Sequence, residues 1–258
     1  MGRPVALSND STVTGRLSLV TQVRNQCDIQ NSNFFSAAEL AEIINQELPE
    51  VHDELISAYG SRYSYKSIIF NLLSGIQDYD LYTAGATDFY RLWRVETLST
   101  TASTRWIDVP RYDEALENVI NNWPIGFPTP VSTPLRYNLR GGDPAIASAV
   151  VGHEFIHFVP LPYLGGQQVR VSYAPICPVL VNAADTYDFI DGWETIVKYG
   201  ACEQVSLKQN LREDAAYYAA KKQAQIERLR SFSERDVTQA EQVHDVEGEM
   251  GLSYGRGY

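Results

Sequence analysis

Val150-Val151-Gly152-His153-Glu154-Phe155-Ile156-His157 can form a helix or a strand, and the two readings make different proteins. As a helix it is H-E-x-x-H. Two imidazoles separated by about 6 Å of rise then share one zinc ion, with Glu154 as the base of a zinc-dependent hydrolase. As a strand, His153 and His157 stand on one face about 13 Å apart, too far to hold one ion together. Residues 145–151 tolerate a helix, but the residues after them argue against one. Gly152 in mid-helix costs about 1 kcal/mol relative to alanine. Pro160 and Pro162 come next, so His157 would sit at a fraying end. Phe155, Ile156, Phe158 and Val159 favour a strand, and Gly165-Gly166 supplies a turn into another one. No H-x-x-G-x-x-H continuation exists, and Glu194 is a third ligand only by its distance along the chain. The strand reading prevails. No catalytic, cofactor-binding or metal-ligating residue is assigned, and the chain reads as a non-enzyme.

Working outward, period-two alternation marks half-buried strands on both sides of this segment. Leu135-Arg-Tyr-Asn-Leu-Arg140 and Gln168-Val-Arg-Val-Ser-Tyr173 alternate strictly, while residues 89–98 and 105–109 are rich in aromatic and β-branched side chains. Tyr112, Leu116, Val119, Ile120 and Trp123 predict one short amphipathic helix, closed by Pro124. Most prolines and glycines fall between 110 and 178, where tight β-connections use them.

Helical spacing flanks this block. Upstream, a short helix is predicted over 16–26. Ser36-Ala-Ala-Glu39 then has capping-box spacing, with Phe35 and Leu40 placed as a hydrophobic staple. Leu40, Ile43, Ile44, Leu48, Val51, Leu55 and Tyr59 form the stripe of a helix that Pro49 should kink and Gly60 should end. Downstream, Leu207, Leu211, Ala215, Tyr218, Ile226, Leu229 and Phe232 form a second stripe, interrupted at Lys222. The predicted fold is α+β. Residues 1–78 and 183–240 supply the two parts of one helical bundle, 79–182 an inserted antiparallel β-rich domain, and 241–258 a flexible, extended C-terminal tail.

The formal net charge of −11 argues against a grip on nucleic acid, because phosphate repels such a chain. Sixteen tyrosines suit half-buried positions or surfaces that a partner covers. Cys27, Cys177 and Cys202 are widely spaced, which fits a reducing cytosol and no disulfide framework. No apolar run approaches the roughly 20 residues of a membrane helix, and Met-Gly-Arg-Pro-Val-Ala6 carries no signal-peptide pattern. Asp185, Asp188 and Asp191 are read as caps for the following helix, and Lys221-Lys222 as a solvated face. No phosphate loop, nucleophile elbow or dinucleotide fingerprint is present.

Taken in order, these elements resemble the head–tail adaptor, or connector, proteins of tailed bacteriophages. Ser36-Ala-Ala-Glu-Leu-Ala-Glu-Ile-Ile-Asn45 is similar to the family's first long helix, and Phe89-Tyr-Arg-Leu-Trp-Arg-Val-Glu96 to the strand that opens its insertion. Arg105-Trp-Ile-Asp-Val-Pro110, Tyr137-Asn-Leu-Arg-Gly141, Phe158-Val-Pro-Leu-Pro162 and Val169-Arg-Val-Ser-Tyr-Ala-Pro175 continue the likeness. Asp191-Gly-Trp193-Glu194, opening a helix, is its most specific part. Residues 141–152 look like an added hairpin insertion, and the glycine- and tyrosine-rich tail is particular to this chain. The resemblance implies a structural virion protein, made in the host cytoplasm. It implies a dodecameric homo-oligomeric ring that joins the portal protein to a tail or neck protein, retains packaged genome and extends the channel for its passage. Double-stranded DNA meets it only in passage, and no membrane is involved. Trp193 is expected as a structural anchor. The tail is expected to contact the portal or a neighbour through Tyr254, Arg256 and Tyr258. A tail-tube or terminator subunit is the alternative virion role.

Overall fold

The computed structural model describes residues 4–8, 17–29, 34–98, 104–113, 135–141, 153–162, 165–190 and 192–249, the last helix by its backbone alone beyond Phe232. Backbone contacts divide the chain into two compact units, residues 1–63 with 177–258, and residues 64–176.

The first unit holds the described helices: α1 (Leu19–Gln26), α2 (Ala37–Tyr59), α3 (Glu194–Lys208) and α4 (Arg212–Glu249). Ser18 caps α1 and Ser36 caps α2, each hydroxyl accepting the amide three residues on. Phe35 and Leu40 are both buried, as a staple requires. The helix continues through Pro49 and ends at Gly60, whose φ of 59° lies in the left-handed region. Leu40, Ile44, Leu48, Val51 and Leu55 share one core with Val20, Val23, Ile196, Val197, Val205, Ile226 and Leu229. α3 and α4 meet at Asn210, which adopts φ 61° where a straight helix would otherwise continue. Two short strands, β1 (Pro4–Ala6) and β9 (Thr186–Asp188), pair antiparallel and bring Tyr187 into that core. There Tyr187 bonds His52 at 2.7 Å and Tyr63 at 2.6 Å.

The second unit carries two antiparallel sheets. One runs in the order β2 (Lys66–Asn71), β8 (Gln168–Pro175), β4 (Phe89–Leu98), β5 (Trp106–Asp108). The other runs β3 (Asp78–Asp80), β7 (Glu154–Val159), β6 (Arg136–Gly141). Leu72, Leu81, Val95, Ile156, Phe158, Val169, Val171 and Tyr173 form its core. The protein is therefore α+β.

Several elements depart from expectation. β2 lies within residues 1–78, expected in the helical bundle, and β3 straddles the end of that range. Lys66-Ser-Ile-Ile-Phe-Asn71 packs three apolar residues in a row, and β3 is too short to show alternation. β1 has no counterpart among the expected elements, because three residues carry no period. The last helix reaches Glu249, so residues 241–249, expected in a flexible tail, are helical. From Thr238 to Val246 nothing breaks a helix, and Gly248 is the first residue that weakens it. Most of the short helix expected at 112–123, nearly all of the 141–152 insertion, and Tyr254, Arg256 and Tyr258 lie outside the described residues.

Candidate functional site

The H-E-x-x-H segment lies at the start of β7, the central strand of its sheet. Each histidine finds its own carboxylate on β3. His153 Nδ1 is 2.9 Å from Asp80 Oδ2, and His157 Nδ1 is 2.6 Å from Asp78 Oδ1. The register fixes the second pair, since His157 stands opposite Asp78 on one side and Asn138 on the other. Tyr82 stacks on the His153 ring with centroids 4.4 Å apart. Arg140 Nη1 also approaches His157 Nδ1 at 3.2 Å. One ring nitrogen cannot donate and accept at once, so the shorter contact assigns the proton to the bond with Asp78. Burial alone would raise the Asp80 carboxyl; hydrogen bonds from Thr83, His153 and the Tyr82 amide outweigh it and hold the group below its usual value.

This geometry corrects the zinc-hydrolase alternative. Zinc needs His153 and His157 to converge, as they do one turn apart on a helix. On a strand they are spread along the chain direction and tied to separate aspartates, with Glu154 exposed at the strand's start. Among the described residues no group of three His, Cys, Asp or Glu side chains is placed to hold a metal ion. An open cleft of about 620 Å³ lies nearby, lined by Arg111, Tyr112, Asp113, Asn138 and Leu139. Arg111 Nε donates to Asn138 Oδ1 at 3.1 Å, and among the described lining residues there is no Ser, Cys or Lys.

In the helical unit one tryptophan and one lysine make polar contacts between helices. Trp193 occupies the N-cap position of α3 and is buried in the helical core. Its Nε1–H donates to the Tyr59 hydroxyl at 2.8 Å, and the Arg228 guanidinium lies 5.7 Å from its ring centroid. Trp193 thus touches the end of α2, the start of α3 and the middle of α4. Asp185 and Asp188, expected as caps for that helix, instead close turns. Asp185 accepts the Val181 and Asn182 amides, and Asp188 accepts the Ile190 amide.

Lys222 corrects the reading of Lys221-Lys222 as a solvated pair. Its ammonium lies 2.8 Å from Glu47 Oε2 and also bonds Glu50, while Arg230 clasps Glu54. α4 is therefore riveted to α2 by charge as well as by apolar contact. Glu47 was legible as unusual, since it falls at the buried spacing of Leu40, Ile44 and Val51 rather than on the acidic face. Gly200 completes the arrangement: a Cβ there would stand 2.0 Å from Glu47 Oε2, so a larger residue must push that carboxylate off its place beside Lys222.

Among the described residues no helix is long and apolar enough to cross a membrane. No curated protein matches the sequence. The family model described as SU10 adaptor protein matches residues 17–244, a span that takes in α1, α2, α3, both sheets of the second unit and most of α4. The chain belongs to the SU10 adaptor protein family, a family of phage head–tail adaptors.

Proposed function

We propose that the chain is one subunit of a dodecameric ring that docks on the outer end of the portal, receives a tail or neck protein and extends the channel through which DNA passes. As a phage structural adaptor it is a virion component that interacts with other head and tail proteins. The observation that carries the finer reading is the family match over residues 17–244. The way the chain is divided supports it. Residues 64–176 interrupt a unit built from both ends of the chain, which fits a helical bundle carrying an inserted β-domain. In this reading the bundle packs beside its neighbours around the ring. The net charge of −11 suits a conduit that must not hold DNA. The role requires neither catalysis nor a cofactor, and synthesis takes place in the host cytoplasm.

Residues 241–258, with Tyr254, Arg256 and Tyr258, are the segment we assign to the portal or to a neighbouring subunit. An aromatic, glycine-rich end can wrap a partner as it orders. Mixing the purified chain with portal rings and imaging the product by electron microscopy tests the reading. A ring stacked on the portal is expected; a chain found along the tail tube or at the tail's end would replace it with the tube or terminator role. Deleting residues 246–258 should reduce retention on the portal, and undiminished binding would remove the tail from the assignment.

A further inference from the structure

The helical unit presents two unlike surfaces on different flanks. On α3 and α4, five side chains form one continuous strip at the surface. Lys198 Nζ lies 5.1 Å from the Tyr199 ring, Tyr199 faces Tyr218 at 6.4 Å, Tyr218 meets Tyr217 at 5.4 Å, and Lys221 Nζ lies 5.4 Å from the Tyr217 ring. Tyr217 is 56% exposed. Three aromatic rings with a cation at each end form a surface made for contact, since tyrosine brings large apolar area at small entropic cost. In a chain of net charge −11, a lysine-capped strip selects an acidic partner.

α2 supplies such a surface. Glu42, Gln46, Pro49 and Asp53 are all exposed and, at spacings of four, three and four, lie on one stripe, with exposed Glu50 beside it. The strip turns away from α2 around α4. Lys222 and Arg230 of α4 reach α2, whereas at 100° per residue Tyr218, Lys221 and Tyr217 lie about 40°, 100° and 140° around the helix from Lys222, on the side away from Arg230. Strip against strip would oppose lysines, and ridge against ridge would oppose carboxylates. Only strip against ridge pairs unlike charges. Contact between two different patches is heterologous, and it closes into a ring or propagates as a filament.

We propose that the Lys198–Tyr199–Tyr218–Tyr217–Lys221 strip of one copy docks on the Glu42–Asp53 ridge of α2 in the next copy, as a subunit contact of the ring. This contact rests on the ring role proposed for the chain. Charge reversal tests it. The Lys198→Glu/Lys221→Glu chain and wild type are compared for ring formation on portal rings by mass photometry, with circular dichroism and thermal unfolding confirming that each is folded. The reversed strip should lower ring occupancy at least tenfold, and adding Glu42→Lys/Asp53→Lys to the same chain should restore it. A strip variant that assembles like wild type overturns the proposal. So does a folded strip variant that the compensating pair fails to rescue, because the strip's partner is then not the ridge. If the wild-type chain itself forms no ring on the portal, the ring role fails first and takes this contact with it.

Discussion

Lys222 and Glu47 form an ion pair at 2.8 Å inside the helical core, with side chains only 13% and 9% exposed. Two charges taken out of water at such depth depend on one another. Losing the lysine strands Glu47, whereas losing both leaves a hydrophobic contact.

Lys222→Met is therefore expected to cost about 3–5 kcal/mol, because Glu47 is left buried without its cation. Lys222→Met/Glu47→Leu should recover most of that loss. Urea midpoints of the three chains measure it. The ion pair also has a pH signature. Burial lowers the lysine's pKa, but bonds to Glu47 and Glu50 outweigh it and hold the group above its ordinary 10.5. A raised folded value means the stabilisation is complete below that ordinary value and disappears as pH climbs through the folded one. The gap between wild type and Lys222→Met should stay constant from neutral pH to about 10 and narrow only in stronger alkali.

Gly200→Ala probes the same contact from the third helix. In an exposed helix interior, alanine gains about 1 kcal/mol over glycine. Here the new methyl would meet Glu47 Oε2 at 2.0 Å, and that carboxylate is pinned by Lys222. A net loss of about 1–3 kcal/mol is expected from overpacking. Combining Gly200→Ala with Glu47→Ala should abolish the clash, and a double-mutant cycle on thermal unfolding reads the coupling.

How much of this fold is legible in the sequence depends on the strength of each local signal. Ser36 with Glu39, the long stripe of α2, and the alternating strands ending at Arg140 and Tyr173 announce themselves, because capping and period are local properties. The strand at His153–His157 was legible from Gly152, Pro160 and Pro162. β2 and β3 were not, since Ile68-Ile69-Phe70 has no period and Asp78-Tyr79-Asp80 is held by β7, far along the chain. The role of Lys222 escaped for the same reason: a lysine that breaks a stripe has no local meaning until Glu47 stands opposite it. The aspartates of β3 that occupy the two histidines are likewise a product of register rather than spacing.

Those aspartates give an acid-side prediction. Asp80 is held below the ordinary carboxylate value, so its contribution is present above that value and is lost as pH falls through the lower, folded one. Asp80→Asn should lower the unfolding temperature at pH 7 and flatten its decline between about pH 5 and pH 3. A decline as steep in the variant as in wild type would remove Asp80 from the acid response. Because His153 is engaged with Asp80, elemental analysis after zinc incubation should find no stoichiometric metal, with or without His153→Ala.

Trp193 separates packing from polar contact at the meeting of three helices. Trp193→Ala removes a large buried ring and should cost about 3–5 kcal/mol. Trp193→Phe keeps much of the volume but loses the Nε1–H donor to Tyr59, a bond of 2.8 Å, and should cost about 1–2 kcal/mol. Arg228→Gln withdraws the cation from the ring face and should cost about 0.5–1 kcal/mol. If the role of Trp193 is chiefly to fill space, the alanine variant stands far from the other two on urea unfolding. A phenylalanine variant as unstable as the alanine one would instead place the weight on the Tyr59 bond, and the anchor would then be the hydrogen bond rather than the ring.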